Sequence, residues 1–414
     1  MIVTNVRIEN GDGTARQTAT VIWEDTRRSP VDIYFEVPSA FAGALVEEGN
    51  SFLLACVFPA VEAGEKRIAV DSYVCPRLRA GLETILRLFQ QWYGTGPRGI
   101  ALESASVAYR RRPVPPAAAA FLTCGIDSLA TLRRNRLMFQ RSHPEFIRDL
   151  ICLYGINFDS DDSPVTFASA MDVLGSVAKQ SDAVLIPLTT NARRELNPDL
   201  DFFRYKYHAA LLGAAAHALS GRVNTTFIAS SHDIPNLIPW GSHPLVDTNL
   251  SSADVRIYHD SFDLSRLEKT RLVADWDVGL QNIRVCTANW PGSNCSRCEK
   301  CLRTMLGLAA LGVLERSRSF EPQFLTEVAV RSIQIFDENQ ETFYAELIQP
   351  LRAVGRRDLA AAVKSILATY RGETGIRGAL KELDRRYLGG GLLTLKRSVG
   401  RSGTPGEPER RAQF

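Results

Sequence analysis

Four cysteines, Cys286, Cys295, Cys298 and Cys301, lie in the run CTANWPGSNCSRCEKC and read C-x8-C-x2-C-x2-C. Two successive C-x2-C steps let several thiolates converge on one point, and the turn Trp290-Pro291-Gly292-Ser293 lets Cys286 fold back toward the other three. Four soft sulfurs with no open position suit a tetrahedral Zn²⁺, and a structural rather than a catalytic one. The competing reading is a set of redox cysteines or a disulfide pair. Dense spacing, with nothing to mark the chain as secreted, favours metal.

The bulk composition sets wider bounds. A chain of 414 residues, 45% apolar and 23% charged, is long enough for two or three globular domains. A net charge of +3 is too small to imply nucleic acid by itself. The arginine clusters at Tyr109-Arg110-Arg111-Arg112 and in the C-terminal tail read as a solvated linker and a disordered tail. The start MIVTNVRIENGDG turns polar too early for a signal peptide. The small-apolar stretch Ala209–Leu219 is too short to cross a bilayer and contains His217. The expectation is a cytoplasmic protein with no membrane partner, in which Cys56, Cys75, Cys124 and Cys152 are buried small residues. A homodimer is compatible with these properties.

Four segments are expected. Residues 1–112 read as a small N-terminal α+β accessory domain: strand-like Thr18–Glu24, Asp32–Val37, Arg67–Asp71 and Ile100–Tyr109, with helix-like Ser51–Val61 and Leu78–Tyr93. The prolines of Arg111-Arg112-Pro113-Val114-Pro115-Pro116 mark a boundary. Residues 113–315 follow as an α/β domain: apolar strands at 117–122, 149–154, 183–188 and 225–230 alternate with helical patterns. That rhythm implies right-handed βαβ crossovers and a parallel sheet covered on both faces. Ligands of such sheets bind at the carboxyl ends of the strands. Residues 316–388 read as a C-terminal helical region and 389–414, with Gly389-Gly390-Gly391, as a flexible tail.

At the end of the first of these strands stands Thr123-Cys124-Gly125-Ile126-Asp127-Ser128, a small-residue turn opening a helix. Such a turn aims backbone N–H groups at one spot, where the helix dipole adds positive potential, and so suits phosphate. It is not a Walker loop, because G-x4-G-K-[ST] occurs nowhere in the chain. The simpler alternative is that Asp127 and Ser128 only cap the helix.

The hexapeptide resembles the S-G-G-x-D-S loop of the PP-loop ATP pyrophosphatases. Followed by the four cysteines, it resembles the 7-cyano-7-deazaguanine synthase (QueC) family of queuosine biosynthesis over roughly residues 115–315. The resemblance implies a parallel-sheet nucleotide domain of the HUP type with a zinc knot, and ATP, Mg²⁺ and Zn²⁺ as cofactors. It implies cleavage of ATP to AMP and pyrophosphate. A carboxylate is thereby adenylated, 7-carboxy-7-deazaguanine or a related acid on a small molecule, peptide or protein terminus. A nitrogen nucleophile is then coupled to it. Thr123 to Ser128 would cradle phosphate, with Tyr154-Gly155 and Ser230-Ser231 lining the nucleotide. Arg204 opens a helical stretch where the family has an arginine. Lys269, in Leu264-x-x-Leu267-x-Lys269, matches a lysine thought to meet phosphates.

Two departures stand out. Cys124 replaces the loop's first glycine, where a positive φ disfavours any side chain, although a thiol at a helix N-terminus can also be an acidified nucleophile. Pro239-Trp240-Gly241-Ser242-His243-Pro244-Leu245-Val246-Asp247 replaces the family's G-Y-x-D-C-R-like stretch, so the substrate is expected to differ. Asp127 is expected at Mg²⁺; the loop amides, Ser128, Arg204 and Lys269 at the phosphates. The sequence-adjacent pairs His243 with Asp247 and His259 with Asp260 are candidate proton shuttles near the substrate, and His232-Asp233 could touch nucleotide. A PP-loop tRNA-modifying enzyme and a nucleotide-binding scaffold without turnover are the alternative readings.

Overall fold

The computed structural model describes residues 1–94, 100–105, 117–156, 164–286 and 294–387. The arginine and proline run 109–116, the turn 290–293 and the tail 389–414 lie outside the described residues.

Ten strands form one sheet: β1 Ile2–Asn10, β2 Thr14–Ile22, β3 Val31–Pro38, β4 Arg67–Val70, β5 Ala101–Ser104, β6 Ala118–Phe121, β7 Ile147–Tyr154, β8 Val184–Thr190, β9 Thr225–Ala229 and β10 Arg256–Asp260. Their spatial order is β10-β9-β6-β7-β8-β3-β2-β1-β4-β5. The run β10-β9-β6-β7-β8 is parallel throughout. Numbered by themselves, these five strands have the order 5-4-1-2-3, so the direction of winding reverses between β6 and β9. Strand β6 reads AAAF and every residue is buried, as a central parallel strand covered on both faces requires.

The expected division at 112/113 is not a boundary of the sheet. Strand β3 pairs antiparallel with β8 through Phe35↔Thr190 and Glu36↔Thr189. Asn191 secures the junction: its Oδ1 accepts from Tyr34 N (3.0 Å) and its Nδ2 donates to the Asp32 carbonyl (2.9 Å). The helix Asn50–Ala63 packs on the alanine-rich helix His208–Ala218, and both belong to one apolar core. The chain divides into two compact units, the first being Met1–Arg284 and the second holding the described residues from Val285 onward. The four cysteines therefore belong with the C-terminal helices and not with the parallel sheet. That second unit is helical, with Glu299–Ala310, Glu338–Ala345, Ile348–Ala353 and Arg357–Tyr387 as its main elements. Asp337 starts one of these helices, its Oδ1 accepting from Gln340 N at 2.8 Å.

Two features of the first unit are open to direct test. Gly81, inside the helix Pro76–Tyr93, faces the Asn249 carbonyl oxygen, and a Cβ there would lie 2.0 Å from it. Alanine normally favours a helix interior over glycine by about 1 kcal/mol. Here Gly81→Ala is expected to destabilise instead, by about 2 kcal/mol in urea unfolding, because backbone must shift to admit the methyl.

His217 is buried in the helix His208–Ala218, with Nε2 2.9 Å from the Leu250 carbonyl oxygen, to which it donates. Burial pushes its pKa down from 6.5 to about 4. The unfolded chain therefore binds this proton near pH 6.5 and the folded chain only near pH 4. The contribution to stability is complete above pH 6.5 and is lost progressively as pH falls toward 4. Its full size is about 3 kcal/mol. Unfolding midpoints measured across that interval should fall with pH in the wild type and fall less steeply in His217→Gln.

Candidate functional site

The reversal of winding between β6 and β9 leaves a crevice at their carboxyl ends, where the loops after the two strands diverge. The Thr123–Ser128 loop follows β6 and Ser230-Ser231 follows β9. Gly125 is the N-cap of the helix Ile126–Met138, with no side-chain cap. Helix geometry leaves the N–H groups of Ile126, Asp127 and Ser128 without an intrahelical acceptor. The loop is held from within. Ser128 Oγ accepts from Thr123 N (3.3 Å) and donates to the Gly125 carbonyl (3.1 Å), while Gly125 N donates to Thr123 Oγ1 (3.3 Å). Ser128 is thus a strut of the loop, and the Gly125 N–H already has an acceptor.

Cys124 adopts φ +58°, the left-handed conformation that glycine favours. Its side chain is fully buried, and burial pushes the thiol pKa upward, with Cys152 nearby adding to the rise. The thiol turns into the core and leaves the outer surface of the loop clear. The acidified, nucleophilic thiol considered from the sequence is therefore not what the fold provides.

Asp127 and Lys269 meet. Arg266 and Lys269 lie on the helix Arg266–Ala274, which packs on the helix Ile126–Met138. Arg266 Nη1 is 2.9 Å from Asp127 Oδ1, and Lys269 Nζ is 3.8 Å from the same oxygen. Lys269 is 1% exposed and donates to the Ser230 carbonyl at 2.7 Å. Desolvation lowers its pKa, opposed chiefly by Asp127. One buried ammonium thus ties the loop after β6 to the turn after β9, while Ser231 is exposed. Arg266 carries no motif and was missed by the sequence reading; its spacing of three residues from Lys269, on one helix face, was the available signal.

The other expected contributors divide. Gly155 has φ +93°, and a Cβ there would lie 1.9 Å from the Thr190 carbonyl oxygen, so glycine is required for the close approach of the β7 and β8 ends. Tyr154 closes β7, half-buried. Arg204 lies in a widened helical turn, Phe203–Tyr207, with Nη1 4.0 Å from Asp201 Oδ1. Its carbonyl accepts from Gly241 N (3.1 Å). The second bond joins the Arg204 backbone to the Pro239–Asp247 segment.

Of the histidine pairs expected from adjacency, His243 with Asp247 is made through the backbone, and His259 pairs with Asp247 in place of Asp260. Asp260 accepts from Ser261 Oγ (2.6 Å), whereas the His259 ring turns to Asp247, with Nδ1 2.7 Å from Oδ2. Neighbouring strand residues face opposite sides of the sheet, which separates His259 from Asp260. His243 reaches Asp247 through its backbone N (3.1 Å), and its ring Nδ1 accepts from Leu245 N (3.1 Å) as a helix cap. His208 joins the same neighbourhood, its Nδ1 3.0 Å from the Arg204 carbonyl. Burial lowers the pKa of both His208 and His243. Trp240 lies edge-on to His232 and His208, with ring centroids 5.8 and 6.2 Å away.

The cysteines converge. The Sγ atoms of Cys286, Cys295, Cys298 and Cys301 all lie within 4.8 Å of one another. Four sulfurs about 2.3 Å from a central Zn²⁺ would be roughly 3.8 Å apart, and Cys295 to Cys301 measures 3.9 Å. Local structure builds the set. Asn294 Oδ1 accepts from Val285 N (2.9 Å) and Cys286 N (3.1 Å), fastening the returning first cysteine, and Nδ2 donates to the Ser319 carbonyl. Cys298 N donates to Cys295 Sγ at 3.3 Å. Cys301 lies in the first turn of the helix Glu299–Ala310, whose dipole favours a thiolate. Hydrogen bonding to Cys286 and Cys298 pushes the Cys301 thiol pKa upward, and a bound cation would favour the thiolate forms. The donor set fits zinc. Asn294, invisible as a motif, is the part the sequence did not reveal.

Elemental analysis of the purified chain is expected to give about one zinc per chain. Cys298→Ser should lose the metal, and chelation of the wild type should lower the melting temperature. Metal-free protein with an unchanged melting temperature in chelator would remove the structural role. No protein-family model matches the chain, and no curated protein or solved structure shows detectable similarity to it.

Proposed function

We propose that the chain is an AMP- and pyrophosphate-forming, ATP-dependent enzyme of PP-loop type, similar to the 7-cyano-7-deazaguanine synthase family, that activates a carboxylate for attack by nitrogen. The observation that carries this reading is the buried Lys269 ammonium, held between Asp127 of the loop and the Ser230 carbonyl at the point where the winding reverses. A buried lysine with one carboxylate and one carbonyl as partners is costly to the fold. Polyanion binding in the crevice gives that cost a purpose.

ATP phosphates would meet the loop amides, Arg266 and Lys269. The two cations would then release Asp127, which suits Mg²⁺ because that ion needs only one or two protein carboxylates beside phosphate oxygens. Mg²⁺ would supply charge neutralisation on the departing pyrophosphate. Lys269 and Arg266 would hold the phosphates in line for attack of the carboxylate on the α-phosphorus. Because the Cys124 thiol faces the core, the loop can accept phosphate without the first glycine. The four-cysteine cluster would hold Zn²⁺ as a structural ion, with no part in these steps.

Incubation with Mg-ATP, 7-carboxy-7-deazaguanine and ammonium, followed by nucleotide chromatography and mass spectrometry of the base, tests the reading. AMP with an amide or nitrile product is expected. Lys269→Ala and Asp127→Ala should weaken ATP binding or turnover by about tenfold or more, the loss typical of a charged hydrogen bond. Wild-type protein that binds no ATP by calorimetry would overturn the nucleotide site. ATP binding without AMP would exclude this acid as the substrate.

A further inference from the structure

Two cations meet on one oxygen of the phosphate loop: Asp127 Oδ1 lies 2.9 Å from Arg266 Nη1 and 3.8 Å from Lys269 Nζ. The atom is buried, yet it has no hydrogen-bond partner among the described residues. The contact with Arg266 is therefore an ion pair whose N–H groups are not aligned on the oxygen. It lacks the directional strength of an aligned guanidinium–carboxylate pair. Such a pair can be exchanged for a better acceptor. Phosphate is one, because the guanidinium fork matches two of its oxygens at once. A buried carboxylate oxygen without a directed bond is, in turn, the kind of donor a divalent cation takes.

Of the two cations, Arg266 is the one that can move. Lys269 is 1% exposed and anchored on the Ser230 carbonyl at 2.7 Å. The Arg266 side chain is 18% exposed and stands at the first position of its helix. The backbone beneath it is held. Ser265 N donates to Glu268 Oε2 (2.7 Å) and Glu268 N donates to Ser265 Oγ (3.3 Å), a closed capping box. Asp263, two residues before the cap, pairs with Arg134 of the helix Ile126–Met138, Oδ2 accepting from Nη2 at 3.0 Å. A swing of the Arg266 guanidinium therefore needs no movement of either helix. The charge around it gives the swing a consequence. Asp233 and Asp260 act on the Lys269 ammonium together with Asp127, so withdrawing Arg266 leaves these carboxylates facing Lys269 alone.

We propose that Arg266 is an exchangeable lock on Asp127, closing the carboxylate to divalent cations until a polyphosphate draws the guanidinium away. The proposal rests on the nucleotide reading in one respect, that the polyphosphate is ATP. The exchange is one of ion pairs. Arg266 passes from the carboxylate to phosphate oxygens, and the released carboxylate meets the divalent cation that enters with the phosphates. Lys269 stays on the Ser230 carbonyl throughout and keeps the loop and the turn together. The consequence is an order of binding: the crevice refuses divalent metal alone and accepts it only with the polyphosphate.

The test uses the full chain loaded with zinc, with Mn²⁺ as the probe. Water proton relaxation is the readout, because it rises when Mn²⁺ becomes protein-bound whether or not a nucleotide also chelates the ion. Wild-type protein is expected to give no rise with Mn²⁺ alone and a saturable rise with Mn²⁺ and a non-hydrolysable ATP analogue. Arg266→Gln should bind Mn²⁺ alone about tenfold more tightly than the wild type, the effect of removing one neighbouring positive charge. Adding Asp127→Asn to that variant should abolish the gain. Folded Arg266→Gln that gains nothing overturns the lock. A wild-type rise with Mn²⁺ alone, equal to that with the analogue, overturns it without recourse to any variant. A gain in Arg266→Gln with no wild-type response to the analogue would sink the nucleotide reading and keep the lock; a wild-type response to the analogue with no gain in the variant would do the reverse.

Discussion

Strand β8 has two edges on which another strand can pair, and β3 occupies the one that β7 does not. That antiparallel junction is short, two paired positions with Asn191 bonded across it, yet the arrangement of the first unit depends on it. With that edge taken, the strand that follows β8 cannot extend the sheet beside it. It must return to the far side of β6, and right-handed crossovers then place the intervening helices on opposite faces. The crevice between β6 and β9 is the geometric result. The N-terminal strands therefore do more than shield an edge: they terminate the sheet on the side where continued winding would have left no switch point.

What the sequence made legible follows from how local each signal is. The strands β6, β7 and β9 are apolar runs largely buried on both faces, β8 is an apolar run buried on one, and such runs declare themselves without knowledge of their neighbours. Strand β10 escaped because RIYHD is short and carries a charged residue at each end. Strand β1 escaped because its polar positions and the positive φ of Asn5 interrupt the alternation. The junction of β3 with β8 could not be read at all, since it is made by backbone groups and one asparagine more than 150 residues away in sequence. The same distinction divides the sites. The cysteine spacing is local and brought the four sulfurs together as expected, whereas the separation of the cysteines from the parallel sheet is a property of packing. Adjacent titratable residues were paired by proximity in sequence, and strand alternation then sent His259 and Asp260 to different faces.

Cys124 shows how a loop can keep its shape without the residue its shape prefers. A non-glycine residue at φ +58° costs about 1–2 kcal/mol. The side chain offsets part of that by burial, and its carbonyl accepts from Arg284 N at 2.8 Å, which holds the strained peptide in place. A β-branched residue could not adopt this conformation, and a longer one could not fit the space beside Cys152. Cysteine is small, apolar when protonated, and kept protonated here by desolvation. The substitution is then a packing solution to a backbone constraint, and it does not require the thiol to take part in chemistry.

Two buried charges flank β9, and they are handled in opposite ways. On one face the Lys269 ammonium has a carboxylate and a carbonyl as partners, Arg266 shares the carboxylate, and Asp233 and Asp260 add negative charge nearby. On the other face the Asp247 carboxylate accepts from Ser242 Oγ and the His243 backbone and meets the His259 ring at 2.7 Å. Isolated buried charges are costly, and each of these two is held by several polar partners drawn from separate elements. The strand between them supplies backbone to both sides: Ser230 follows it and accepts from Lys269, while its neighbour β10 carries His259 to Asp247.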